Sequence, residues 1–319
     1  RTLVTDAGEE IAFAECVLCT GSEPLRPPVP GASGRGVHVI RTARDSAEVA
    51  MAARPGSRVA VVGAGFIGCE AAVSLAMRGA SVTVVTPEAV PQAGRLGAEV
   101  GGRIASWLRE AGVELRTGRS VEAVEEDRGG LRLRLDDGEV RCHRVVMAVG
   151  ARPRTGLAED AGIALECGAV PVDEGMRTTI DGIWCAGDPA LAENTAAGRR
   201  LRVEHWGDAL RQGAIAGRRL AGEAVSWDDV PGFWSAIGHR TIKQAAWGDG
   251  WDEVAVDADA GGFTAWYGRD GAIVGVLTHE RDLDYEAGRR MVRACAPWPF
   301  AGAPSGVSAS PSIRASRES

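Results

Sequence analysis

Lysine is almost absent from this 319-residue chain: Lys243 stands alone, and 35 of the 36 basic residues are arginine. A basic excess is lacking too. The 43 acidic residues leave a net charge of −7, which weighs against nucleic acid as a partner, since its binders usually carry a basic excess. The arginine bias, with 43 glycines and a heavy alanine load, reads as the codon usage of a GC-rich genome rather than as chemistry. No apolar run approaches the roughly 18 residues that a membrane helix needs, and no basic-then-apolar signal peptide opens the chain. A disulfide framework is missing as well. The seven cysteines, Cys16, Cys19, Cys69, Cys142, Cys167, Cys185 and Cys295, are odd in number and scattered, as in a protein of the reducing cytoplasm. With 45% apolar and 25% charged residues the composition is that of an ordinary globular protein, long enough for two domains.

Several segments carry a definite period. Residues 11–18 read as one strand, broken by Thr20-Gly21-Ser22-Glu23-Pro24 and Pro27-Pro28-Val29-Pro30-Gly31. Residues 58–62 form a short β-branched run, apolar on both sides as in a buried parallel strand. A helix is predicted from Phe66 to Arg78, stopped by Gly79, then a strand over 81–85, a helix over 98–110 and a strand over 113–116. Alternating runs at 131–135 and 140–149, around Asp136-Asp137-Gly138, predict antiparallel ribbons. A further helix is predicted over 207–220. Of 16 aromatic residues, 12 fall from Trp206 onward, and strand-like pieces such as 262–267 point to a smaller α+β domain there. The tail from Ala301 is rich in Gly, Ala, Pro and Ser and is predicted to be disordered.

The strongest local signal is Gly63-Ala64-Gly65-Phe66-Ile67-Gly68, placed after a strand and at the opening of a helix. Gly63 permits the tight turn, Gly65 lets a pyrophosphate approach the backbone, and Gly68 lets helix and strand pack closely. The acid expected about 20 residues on is replaced by Thr86, with Glu88 two further along. Thr86 can accept from a ribose hydroxyl but does not repel a 2′-phosphate, so this position does not decide between NADH and NADPH. Cys16-Val17-Leu18-Cys19 formally matches a dithiol motif. Within a strand, residues three apart point to opposite faces, so these two are expected to pack in the core, and their spacing fits no zinc pattern. No metal site is expected.

Cys19-Thr20-Gly21-Ser22 followed by Pro28-Val29-Pro30-Gly31 resembles the first interdomain linker of FAD-dependent pyridine nucleotide oxidoreductases. Val149-Gly150-Ala151-Arg152-Pro153 is similar to the second, where the chain returns to the flavin domain. Val172-Asp173-Glu174, Arg177-Thr178 and Ile183-Trp184-Cys185-Ala186-Gly187-Asp188 resemble the family's late flavin motif. Glu204-His205-Trp206, Ala209, Gln212-Gly213 and Val230-Pro231-Gly232-Phe233-Trp234-Ser235 resemble the ferredoxin reductase branch, which serves oxygenase and cytochrome P450 systems. The resemblance runs from about residue 3 to 293.

The resemblance implies an α/β protein with the glutathione-reductase-type two-dinucleotide-binding-domain fold. A first FAD segment would span 1–40, an inserted NAD(P) domain 41–149, a second FAD segment 150–226, a C-terminal α+β reductase domain 227–297 and a disordered tail 298–319. It implies FAD with NADH or NADPH as cofactors, hydride transfer from the nicotinamide to the flavin, and a ferredoxin- or rubredoxin-type iron–sulfur protein as electron acceptor. Glu70 would hold the nicotinamide carboxamide, as the catalytic residue. Gly63, Gly65, Phe66, Ile67, Gly68 and Thr86 would line the nicotinamide dinucleotide. Thr20, Gly21, Gly150, Gly187, Asp188, Glu204, His205, Trp206 and Trp234 would line the flavin, with Asp188 on the ribityl chain and a helix N-terminus near Glu204–Trp206 facing the flavin's pyrimidine edge. Arg240, Arg289 and Arg293 are expected to dock the acidic acceptor. Two departures stand out. The chain has no second glycine-rich motif for the FAD adenosine diphosphate, and it begins Arg1-Thr2-Leu3 without a methionine. An N-terminally truncated flavin domain that holds FAD weakly is therefore expected. A partner-free NADH oxidase or quinone reductase, and a non-catalytic NAD(P) sensor, remain open at this point.

Overall fold

The computed structural model describes residues 1–300. It is built around a five-stranded parallel sheet in the order Val37–Val39, Arg144–Met147, Arg58–Val62, Ser81–Thr86, Glu114–Thr117. The β-branched run at 58–62 sits in the middle of it, as its two-sided apolar character requires. Val59 and Val61 face a core shared with helices Phe66–Met77 and Ala98–Glu110, while Ala60 and Val62 face a three-stranded antiparallel ribbon. Gly79, with φ +88°, stops the first helix where expected.

Two expected strands are each divided. In the 140–149 run, Gly138–Cys142 pairs with Gly130–Leu135 in the ribbon, whereas Arg144–Met147 joins the parallel sheet. The chain changes sheet at His143, whose N–H donates to the Arg58 carbonyl (2.7 Å) and whose Nδ1 accepts from the Arg58 N–H (3.0 Å). Residues 11–18 likewise divide into Glu10–Ala12, an exposed hairpin partner of Thr2–Val4, and Cys16–Leu18, parallel to Ile183–Cys185. The parallel sheet also starts earlier than the expected boundary at residue 41, because Val37–Val39 is its edge strand. Helix Ala43–Ala52, unforeseen, opens on a capping box between Thr42 and Asp45, a Thr-x-x-Asp signal that the sequence does contain.

The C-terminal part is a five-stranded antiparallel sheet in the order Gly232–Ile237, Arg240–Ala246, Ala272–His279, Gly262–Arg269, Glu253–Asp259, completing the glutathione-reductase-type architecture. It is not a free-standing appendage. One face (Ile242, Phe263, Tyr267, Leu277) shares a core with Val73, Ile104 and Leu108 of the nucleotide-side helices. The opposite face (Ala245, Trp266, Val276) packs with Leu18, Val172, Trp184 and Val292. Across the first seam the buried Tyr267 hydroxyl donates to the Leu96 carbonyl (3.1 Å).

Helix Asp282–Arg293 follows strand Ala272–His279. It lies so close to the sheet that a Cβ at Gly288 would come within 2.7 Å of the Val276 side chain. Gly288→Ala should therefore destabilise the protein by about 1–3 kcal/mol, the usual penalty for overpacking, read as a lower urea midpoint with an unchanged slope. The tail expected from residue 298 begins too early: Trp298 is buried, stacks edge-on with Phe300 (4.9 Å) and donates its backbone N–H to the Gly271 carbonyl (2.8 Å). The remainder of that expected tail, residues 301–319, lies outside the described residues. Among the described residues no helix is long and apolar enough to cross a membrane.

Candidate functional site

The glycine turn sits between the carboxyl ends of three strands. Gly63 donates its N–H to the Val85 carbonyl (2.8 Å) at φ +101°, and a Cβ there would lie 2.3 Å from the Ala148 oxygen. A Cβ on Gly68 would lie 2.2 Å from the Gly63 oxygen. Both positions are closed to any side chain by backbone. Gly65 is different. Its φ of −69° suits any residue, and nothing stands within 4 Å of where its Cβ would be. That open cradle lies at the N-cap of helix Phe66–Met77, which has no side-chain capping bond. The first helical N–H groups have no intrahelical partner, and the dipole's positive end adds to them. The turn thus fits the pyrophosphate of a dinucleotide.

At the ribose end, Thr86 is buried at the close of its strand. Glu88 has both oxygens engaged by backbone, accepting from Gln92 N–H (3.0 Å) and Gly94 N–H (2.9 Å). Arg95 is exposed and lies 5.6 Å from the Phe66 ring centre.

Three distant segments meet beside the turn. The Phe66 ring stacks edge-on against Phe233 (4.6 Å), and Phe233 lies 4.6 Å from the His205 ring. Glu70, one helical turn beyond Phe66, accepts at Oε1 from the Ser235 hydroxyl (2.5 Å) and the Ala236 N–H (3.0 Å). His205 caps helix Trp206–Leu220 with its backbone alone, its Nδ1 3.5 Å from the buried Asp208 carboxylate. Ile67 is exposed, and Glu204 is paired with Arg202 (3.1 Å). Trp206 and Trp234 stand edge to face (6.1 Å), 70% and 60% exposed.

The segments assigned to the flavin lie together. The Gly187 N–H donates to Gln212 Oε1 (2.8 Å), and Asp188 Oδ2 accepts from Arg41 Nη2 (2.9 Å). No motif singled out Arg41; it precedes the capping-box threonine, and only the fold brings it to Asp188. Thr20 and Gly21 contact Arg154 through the Thr20 hydroxyl (2.5 Å) and the Gly21 carbonyl (2.9 Å), and the Gly150 carbonyl accepts from Leu25 (2.9 Å). These three residues thus clasp the two interdomain crossings, which pair as strands Ser22–Pro24 and Ala151–Pro153. Among the described residues, buried Ser22 Oγ and Gln212 Nε2 have no hydrogen-bond partner, so the residues present on this side fit a polar ligand such as the flavin's ribityl chain.

Two expectations are corrected. The arginines offered for docking are not free cations: Arg289 pairs with Asp229 (2.8 Å), Arg293 with Asp228, and Arg240 with Glu110 (2.5 Å). In a chain with more acids than bases, each finds an acid on a neighbouring segment. Of the two strand cysteines only Cys16 packs against the core; Cys19 is exposed. Burial pushes the Cys69 and Cys185 thiols up to about 12, which leaves neither as a thiolate at neutral pH.

A sequence model of the family described as pyridine nucleotide-disulphide oxidoreductase matches residues 1–213. The chain is 32% identical over 293 residues to the ferredoxin–NAD(+) reductase component of an anthranilate 1,2-dioxygenase system from Burkholderia cepacia, covering 91% of this chain and 72% of that one. It is 29% identical to human apoptosis-inducing factor 3 over 88% of this chain, and spans about half (47%) of that protein's length. The crystal structure of a ferredoxin reductase from Rhodopseudomonas palustris superposes with a TM-score of 0.87 at 27% identity, covering 93% of this chain and 74% of that one.

Proposed function

The chain belongs to the pyridine nucleotide-disulphide oxidoreductase family, in its ferredoxin reductase branch, and on that premise we propose that it carries electrons from NAD(P)H through FAD to a small ferredoxin- or rubredoxin-type iron–sulfur protein. When bound, the flavin supplies acceptance of a hydride and its return as single electrons. The protein's share is binding and orientation. The Gly63–Gly68 turn and its helix N-terminus would hold the nicotinamide dinucleotide's pyrophosphate. Glu70 would accept from the carboxamide and so set the angle at which the nicotinamide ring is presented. Asp188, with Arg41 and Gln212 beside it, would hold the ribityl side of the flavin. The N-terminus of helix Trp206–Leu220 would favour negative charge that develops on the flavin.

The observation that carries the reading is the convergence of Phe66, Phe233 and His205 from three segments on one point, with Glu70 next to them. Such a junction lets one rigid constellation face both dinucleotides. Trp206 and Trp234 support the choice of a protein acceptor, since large indoles exposed beside a redox site are the anchors that interfaces favour.

The test compares acceptors with the flavin-loaded protein under NADH and NADPH in turn. Rapid reduction of a ferredoxin, with oxygen and quinones reduced far more slowly, is the expected result. Turnover with oxygen or a quinone that matches or exceeds that with iron–sulfur proteins would place the chain with the partner-free oxidases and overturn the proposal. A flavin-loaded protein that oxidises neither NADH nor NADPH would reduce it to a binding module.

A further inference from the structure

Helix Phe66–Met77 and strand Gly232–Ile237 meet in register. Phe66 and Glu70 are four residues apart on one helix face, a rise of roughly 6 Å. Phe233 and Ser235 are two apart on one strand face, roughly 6.8 Å. The matching steps bring Phe66 to Phe233 and Glu70 to Ser235 at once. Ser235 is 1% exposed, and among the described residues its hydroxyl has no other hydrogen-bond partner, so water does not compete for the bond. The Ala236 N–H adds a second donor to the same oxygen, Oε1. Both donors are fixed by the strand, which pairs Ser235 with Ile242 and Ala236 with Thr241.

We infer that Ser235 is a positioning residue: with the Ala236 N–H it clamps Oε1 of Glu70, which fixes the carboxylate plane and leaves Oε2 as the acceptor for the nicotinamide carboxamide. The inference rests on the reading of Glu70 given above. A carboxylate held by one donor could swing about its last torsion, whereas two donors arriving on one oxygen from a rigid strand resist this, and bonds to an ionised acceptor are the strong ones. The C-terminal sheet thereby takes part in nicotinamide recognition without touching the nicotinamide. Its hydroxyl acts through Glu70 alone, so its effect should vanish when Glu70 is removed.

The test is a binding comparison that needs no turnover. NAD+ and 3-acetylpyridine adenine dinucleotide, in which a methyl group replaces the amide NH2, are titrated calorimetrically into the native protein and its variants. One hydrogen bond from the NH2 to a carboxylate gives the native protein an expected preference for NAD+ of about tenfold or more. Ser235→Ala should cut that preference at least threefold, Ser235→Thr, which keeps the hydroxyl, should restore it, and Glu70→Ala should abolish it, with no further change on adding Ser235→Ala. If Ser235→Ala does not fold, Ser235→Cys, a near-isosteric weak donor, is measured in its place with the same expectation. A preference lost in Glu70→Ala but intact in the Ser235 variants overturns the positioning role and leaves the reading of Glu70 standing. A preference intact in Glu70→Ala overturns both. Equal weakening of the two ligands by Ser235→Ala marks a merely structural staple and overturns the inference.

Discussion

Gly65→Ala is expected to weaken NAD(P)H binding about 100-fold while leaving the melting temperature almost unchanged, and the same substitution at Gly63 or Gly68 is expected to do the reverse. The difference follows from what each new Cβ would meet. At Gly65 it meets nothing within 4 Å, and the backbone there already has a φ of −69°, so the folded state loses no more than about 1 kcal/mol from a poorer cap. The methyl group would instead occupy the space through which a pyrophosphate reaches the helix N-terminus, and each tenfold loss of affinity corresponds to about 1.4 kcal/mol. At Gly63 the Cβ would be driven to 2.3 Å from the Ala148 oxygen at φ +101°, and at Gly68 to 2.2 Å from the Gly63 oxygen. Strain and overpacking of this kind cost about 3 kcal/mol or more in combination. Thermal melts and fluorescence titrations of the three variants check this directly. Native affinity in Gly65→Ala would mean that no phosphate lies against that residue.

Glu70→Ala should slow flavin reduction at saturating NAD(P)H about 100-fold, with a smaller loss of nicotinamide affinity. A group that only orients the carboxamide contributes through near-attack geometry, and displacements near 1 Å cost factors of that size. The substitution has a second consequence, because it leaves the buried Ser235 hydroxyl without its acceptor, worth about 1–3 kcal/mol of stability. Glu70→Gln separates the two effects: an amide oxygen can still accept from Ser235 and Ala236, while the NH2 now turned toward the carboxamide cannot accept. Glu70→Gln should therefore keep the stability and lose the rate. Stopped-flow flavin absorbance and urea titration of both variants supply the comparison. An unchanged reduction rate in Glu70→Ala would make it a surface glutamate.

Arg240, Arg289 and Arg293 each stand beside a carboxylate within the chain, so their field is largely cancelled before any partner arrives. Exposed pairs of this kind also contribute little to stability.

What the sequence determined by itself is what short-range chemistry dictates. Strand, glycine turn and helix over residues 58–77 follow from β-branched residues, from glycines where a Cβ cannot fit, and from Gly79 as a stop. The helices predicted at 98–110 and 207–220 follow from their apolar spacing, and the ordered linkers carried the family and hence the fold. Tertiary structure decided what depends on partners far along the chain. The Glu70–Ser235 bond joins residues 165 apart and the Arg41–Asp188 pair residues 147 apart. No local period announces either, because a side chain's hydrogen-bond partner is chosen by the packing of whole sheets and helices. The same reason divided the 140–149 run at His143: both halves are good strand sequence, and only the competition between two neighbouring sheets for their backbone N–H and C=O groups decided where the chain crosses.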